Sequence, residues 1–177
     1  MSPVRPTVPA LAVLAALLGC PAEPPPAPPA ALTGAWRASI QFSSGAFSGI
    51  KDLEFLYVFN AGGTLTESSN YDGAPPVPPA YGVWRQVGPH EFEARYEFYM
   101  TAPSDPKAFA AGAGWLPSGR GVFTERIRVA DDGGSFTSSM RREVLDVHGA
   151  PAAGGGEAEG HGVRIAFPAA DSAGAGQ

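Results

Sequence analysis

The middle of this chain is predicted to be all-β, on three observations. Between residues 32 and 167 no stretch of a dozen residues repeats its apolar positions every 3.6 residues. Two-residue alternation recurs throughout, and Gly, Pro, Asn and Asp interrupt it at short intervals. Eight strands follow, at 35–42 (β1), 53–60 (β2), 63–68 (β3), 80–86 (β4), 91–101 (β5), 121–129 (β6), 135–148 (β7) and 159–167 (β8).

The connections assign an order in space. Those after β2, β4 and β6 are tight (Ala61-Gly62, Val87 to His90, Ala130 to Gly134) and suit hairpins, whereas those after β1, β3, β5 and β7 are longer and rich in Gly, Pro, Ser and Ala. In an up-and-down antiparallel sheet alternate connections emerge at the same end, so the four long loops rim one end and the three short turns close the other. Eight strands is also about the number that closes into a barrel able to hold one small ligand, and closure removes exposed edges. An eight-stranded antiparallel up-and-down barrel is therefore expected.

Side-chain parity tests this arrangement. Pairing β6 with β7 across Asp132-Gly133 collects Phe123, Ile127, Val129, Phe136 and Met140 on one face, with Glu125, Ser138 and Arg142 as polar exceptions. The other face collects Thr124, Arg126, Arg128, Thr137, Ser139 and Arg141. Strand β5 agrees, with Phe92, Ala94, Tyr96, Phe98 and Met100 on one side and Glu91, Glu93, Arg95 and Glu97 on the other.

Composition bounds the function. With 44% hydrophobic and 16% charged residues spread through 177 positions, the chain reads as one domain, neither a multi-spanning membrane protein nor a wholly disordered chain. A net charge of −5 without any Lys/Arg run gives no electrostatic footprint for nucleic acid. Nine of the 19 prolines fall within the first 30 residues, which marks a separate segment.

That amino-terminal segment is informative. Arg5 precedes an apolar run from Ala10 to Cys20, about 11 residues where a bilayer-spanning helix needs roughly 20. It reads as a signal segment, residues 1–19. Leu17-Leu18-Gly19-Cys20 resembles a bacterial lipobox, which implies that Cys20 is acylated with palmitate-type chains and becomes the mature amino terminus. Several chains would make the attachment lasting, since one anchors only marginally. The same resemblance implies a location in the bacterial cell envelope, facing the periplasm or the exterior. Cys20 is the only cysteine, so no intramolecular disulfide is available. Residues 20–31 then form a lipid-bearing tether in which Pro21 to Ala30 favours an extended polyproline conformation of roughly 30 Å. Residues 32–168 form the barrel, and 169–177 a small, polar tail that frays.

Leu32-Thr33-Gly34-Ala35-Trp36 is similar to the G-x-W opening of lipocalins and the wider calycin group, and Arg164 lies on the last strand, where lipocalins place an arginine over that tryptophan. The resemblance implies a lipocalin-like barrel whose closed end is held by Gly34, Trp36 and Arg164, with a cation–π contact between the last two. It departs in lacking a disulfide, an amphipathic helix after β8, and the polar biotin-contact set of avidins.

Candidate chemistry follows from inward parity. If Ile165 and Phe167 face inward, so do Glu159 and His161; if Phe136, Met140 and Val144 face inward, so do Arg142, Asp146 and His148. With a loop over 149–158, Asp146 would oppose His161 and His148 would oppose Glu159, a divalent-metal candidate set. The alternative is a group of solvated charges on neighbouring strand ends. Arg142 would either meet a carboxylate or phosphate on a ligand or neutralise Glu125 inside the barrel. Tyr57, Phe59, Tyr96, Phe98 and Met100 would either line an apolar pocket or fill a solid core. The loops over 71–79 and 102–118, with Trp115, would either form a protein-docking rim or be plain loops.

No G-x-S-x-G, H-E-x-x-H or glycine-rich phosphate loop is present, so no enzyme and no cofactor is expected. The leading expectation is non-catalytic binding or carriage of a small apolar or amphipathic molecule. The alternative is an assembly lipoprotein that docks another envelope protein around a solid core, and the third an isomerase- or cyclase-like barrel. A hollow interior favours carriage; a filled one with an apolar outer patch favours docking.

Overall fold

The computed structural model describes residues 31–71, 78–104 and 114–168. The signal segment, Cys20, the proline-rich tether and the 169–177 tail lie outside the described residues. Eight strands run Gly34–Phe42 (β1), Leu53–Phe59 (β2), Thr64–Ser69 (β3), Ala80–Gln86 (β4), Glu91–Pro103 (β5), Trp115–Val129 (β6), Ser135–Leu145 (β7) and Pro151–Arg164 (β8). Each pairs antiparallel with the next, and β8 returns to β1 to close the barrel. The β6–β7 hairpin sets Phe123 opposite Arg142 and Val129 opposite Phe136, the register that the Asp132-Gly133 turn predicts.

Alternation places one side chain of every pair inside. On β1 these are Trp36, Ala38, Ile40 and Phe42, with Arg37, Ser39 and Gln41 outside. The inner set forms one continuous core in which side chains from opposite walls meet. Phe55 on β2 lies 5.7 Å from Phe123 on β6, and Tyr57 on β2 lies 6.3 Å from Phe136 on β7, centroid to centroid. The centre is therefore bridged by rings, and burying each contributes on the order of 1.5–3 kcal/mol. Tyr57, Phe59 and Tyr96 are buried within this core.

Three expectations about the ends are corrected. Strand β8 begins at Pro151, not at 159, so the β7–β8 connection is the short turn Asp146 to Ala150. Strand β6 begins at Trp115, where a loop was expected, because β5 runs on through a bulge after Met100 to pair with it. Most consequential is the parity of β8. Its inward positions are Ala158, Gly160 and Gly162, whereas Glu159 and His161 are exposed. Ile165 and Phe167, whose hydrophobicity suggested the opposite phase, lie beyond the strand and are exposed.

The inner face of β8 is small because neighbouring side chains already occupy that volume. A Cβ on Gly162 would stand 2.2 Å from the Phe136 ring, and one on Gly160 would meet Ser138 Oγ at 2.4 Å and Ile40 at 2.9 Å. Gly162→Val is expected to lose about 1–3 kcal/mol of stability through overpacking, read as a lowered denaturant midpoint with an unchanged slope.

Candidate functional site

At the closed end, Trp36 and Arg164 are direct cross-strand partners. The guanidinium carbon sits 4.2 Å from the centre of the indole. Because β8 has the phase described above, Arg164 points inward. It donates to the carbonyls of Gly133 (2.9 Å), Thr33 (2.8 Å) and Ala31, while Trp36 Nε1 donates to Leu32 O at 2.8 Å. Gly34 makes room: its φ is +130°, and a Cβ there would lie 2.7 Å from Arg164 Nη1. Gly34, Trp36 and Arg164 thus pack together and seal the end over a fully buried Leu32.

A polar layer lies above this seal. Tyr57 and Tyr96 both donate to Glu125 Oε2, at 3.2 and 3.0 Å, and their hydroxyls are 3.2 Å apart. Glu125 is 0% exposed and Glu67, opposite Tyr57 on β3, is 5% exposed. Burial, reinforced by the charge of Glu125, pushes the Glu67 carboxyl up to about 8. Burial also raises Glu125, while the hydroxyls of Ser138, Tyr96 and Tyr57 pull it back. The Ser138 hydroxyl acts on that carboxylate without completing a hydrogen bond, and Glu67 Oε1 and Glu125 Oε1 likewise have no partner among the described residues. Both tyrosines are raised well above 10, first by burial and next by the Glu125 charge. The layer encloses two carboxyl groups and two phenols between aromatic rings.

The open end presents a different chemistry. Arg142 on β7 faces inward and is 5% exposed. Its guanidinium lies 4.4 Å from the Phe47 ring and 5.9 Å from the Phe98 ring, donates to the Gly154 carbonyl, and stands 3.8 Å from Met100 Sδ. Its buried Nε has no hydrogen-bond partner among the described residues. Among the described residues no carboxylate lies within ion-pair distance of it. Glu125 is occupied by the two tyrosines instead, opposite Met140 rather than Arg142, so the expected neutralisation between Arg142 and Glu125 does not form. Burial lowers the pKa of the guanidinium.

Phe47 reaches Arg142 from the β1–β2 loop, which is fixed to β8. Ser43 N donates to Glu157 O at 2.9 Å, Glu157 N donates to Ser44 Oγ at 3.1 Å, and Gly45 packs so closely on Gly155 that a Cβ would collide with its carbonyl. Phe42, at 5.3 Å, and Tyr71, at 5.4 Å, flank the Phe47 ring. A guanidinium floored by a backbone carbonyl and walled by rings and a thioether fits a small acidic group carried on an apolar body.

No family model matches the chain, and the search of curated proteins finds no similar one.

The four metal candidates are not brought together. Asp146 Oδ1 accepts from the amides of His148 (2.8 Å) and Ala150 (2.9 Å), which closes the β7–β8 turn and holds its carboxyl below the usual range. His161 lies on the outer wall between Ser39 and Thr137, and Glu159 between Gln41 and Ser139. No group of three such ligands is assembled among the described residues. A broad depression on that same wall, lined by Ser39, Thr137, Ser139 and His161 among others, is lined mainly by outward-facing polar residues rather than by the buried groups above. Of the candidate ligand-binding residues, Phe98, Met100 and Arg142 meet at the mouth, whereas Tyr57, Phe59 and Tyr96 lie deeper in the core. Sequence reasoning did not single out Phe47 or Glu67; the alternation of Leu65, Glu67 and Ser69 on β3 was the available signal for the second.

Proposed function

We propose that this chain is a lipid-anchored envelope lipoprotein, acylated at Cys20, which binds without catalysis a small amphipathic molecule bearing an acidic group. The acid would meet Arg142, and the apolar body would lie against Phe47, Phe98 and Met100 at the barrel mouth. The observation that carries this reading is the buried guanidinium of Arg142, which has no anionic partner among the described residues. Burying an uncompensated charge costs several kcal/mol, and an anionic ligand would offset it. The ring-filled centre favours a shallow site at the mouth over carriage deep in the barrel.

The test is titration of the protein with palmitate and with the fluorescent sulfonate anilinonaphthalene sulfonate. Saturable binding by the native protein is expected, reduced at least about tenfold in Arg142→Met, which keeps side-chain length and loses the charge. Circular dichroism checks that the variant remains folded. Equal affinity in the two proteins, or no binding by either, overturns the assignment.

A second reading is supported by the same filled core together with an apolar outer patch: an assembly lipoprotein that docks another envelope protein through its outer wall. Leu56, Val58, Tyr81 and Val83 are all between 46% and 65% exposed there.

A further inference from the structure

Arg142 meets two acceptors among the described residues. Nη1 donates to the Gly154 carbonyl, and Nη2 faces the Met100 thioether sulfur at 3.8 Å. A thioether is a weak acceptor, so the second contact leaves that edge of the guanidinium poorly satisfied. The local fold brings the sulfur there. Strand β5 keeps its alternation as far as Met100 and shifts register between Met100 and Thr101, and the residue paired with Met100 is Gly119, which contributes no side chain beside it. Met100 is half-buried at the barrel mouth. Met140, the other methionine among the described residues, is 3% exposed and lies in the core with the Tyr96 hydroxyl 3.9 Å from its sulfur.

We propose that Met100 is an oxidation site whose sulfoxide is held by Arg142. With hydrogen peroxide as the oxidant, a sulfur lone pair attacks one peroxide oxygen and the O–O bond breaks. The departing hydroxide takes the proton of the sulfur-bound hydroxyl and leaves as water. Sulfur loses two electrons, peroxide gains them, and the product is methionine sulfoxide. The geometry accommodates that product without moving either strand. An S–O bond of about 1.5 Å and an N–H···O contact of about 2.9 Å, meeting at about 120° at the oxygen, span close to the 3.8 Å that already separates Sδ from Nη2.

Oxidation thus replaces a weak acceptor by a strongly polar oxygen beside a buried cation. The oxidised barrel gains a charge-assisted hydrogen bond and becomes the more stable form, the reverse of what a polar sulfoxide does to an ordinary apolar core. The same oxygen engages the edge of the guanidinium that the acidic group of a ligand would use, so oxidation closes the anion site; this consequence rests on the ligand role proposed for Arg142. Reduction of the sulfoxide reopens the site. Burial shields Met140, which confines the chemistry to one sulfur.

The test treats the full-length protein with hydrogen peroxide and reads the oxidation of each methionine by peptide mass, the midpoint of urea unfolding, and the affinity for palmitate. Met100 should be converted at least about tenfold faster than Met140. The midpoint should rise in the native protein and fall in Arg142→Leu. Palmitate affinity should drop at least about tenfold and return on treatment with methionine sulfoxide reductases. In Met100→Leu, peroxide should change neither midpoint nor affinity, whatever their starting values. Equal rates at the two methionines, a midpoint that falls alike in the native protein and Arg142→Leu, an affinity unchanged after full conversion of Met100, or a loss of affinity that persists in Met100→Leu overturns the inference. If the untreated native protein binds no palmitate, the ligand role of Arg142 fails by itself, and the midpoints still decide whether the sulfoxide seats on the guanidinium.

Discussion

Glu67→Gln is expected to make the protein more stable in mildly alkaline solution and to flatten its dependence on pH. In the folded barrel Glu67 keeps its proton up to about pH 8, while in the unfolded chain it loses it near the ordinary value of 4.5. Between those values unfolding releases a proton, so stability falls as pH rises, by about 1.4 kcal/mol per pH unit. The contribution is fully present below 4.5 and fully lost above about 8, a difference on the order of 5 kcal/mol. Glu125 acts in the same direction. Asp146 acts in the opposite sense: its depressed carboxyl adds stability above its unfolded value and loses it as pH falls. Urea unfolding of the native protein at pH 5 and pH 8.5 should therefore give the lower midpoint at pH 8.5. Glu67→Gln should recover several kcal/mol there and change little below pH 4.5. Parallel pH profiles in the two proteins would show that Glu67 ionises freely.

The second large effect is expected at the closed end. Trp36→Ala removes a fully buried indole, its hydrogen bond to Leu32 O, its 5.2 Å contact with Phe136 and the surface beneath Arg164. Truncations of this kind cost about 3–5 kcal/mol, which for a domain of this size lowers Tm by on the order of 10–15 °C. Arg164→Lys should be damaging as well, because an ammonium cannot reproduce the planar fork that serves Gly133, Thr33 and Ala31. A double-mutant cycle between Trp36→Leu and Arg164→Leu should give a coupling of about 0.5–2 kcal/mol. Additive losses would mean that the two side chains seal the end independently.

The strand order and most inward faces could be read before any coordinates, because alternation is strong wherever both phases carry distinctive residues. On β5, β6 and β7 aromatic and aliphatic positions alternate with Arg, Glu and Thr, and the structure reproduces both faces, including the buried exceptions Glu125, Ser138 and Arg142. Reading failed on β8, where the inner phase is Ala158, Gly160 and Gly162 and so carries almost no hydrophobic signal. The volume that those positions vacate is filled by Phe136 and Ile40 from the adjacent strands, a compensation that no single segment displays. The metal candidates depended on that phase and on a long β7–β8 loop, and both premises failed together. At the mouth, Arg142 could be assigned to the interior, but its lack of a carboxylate partner depends on what the other strands bring to the same level. Phe47 sits in a loop without periodicity, so its place above the guanidinium is decided by glycine contacts between Gly45 and Gly155.

Closure of the ring by β8 against β1 has a bearing on how the polypeptide gains its rigidity. The bond from Arg164 to the Thr33 carbonyl spans 131 positions, and one flank of β1, the side that pairs with β8, stays open until the final strand has been made. Long-range pairing of this sort is slow to form. A nascent copy consequently stays slack until its last strand has been made.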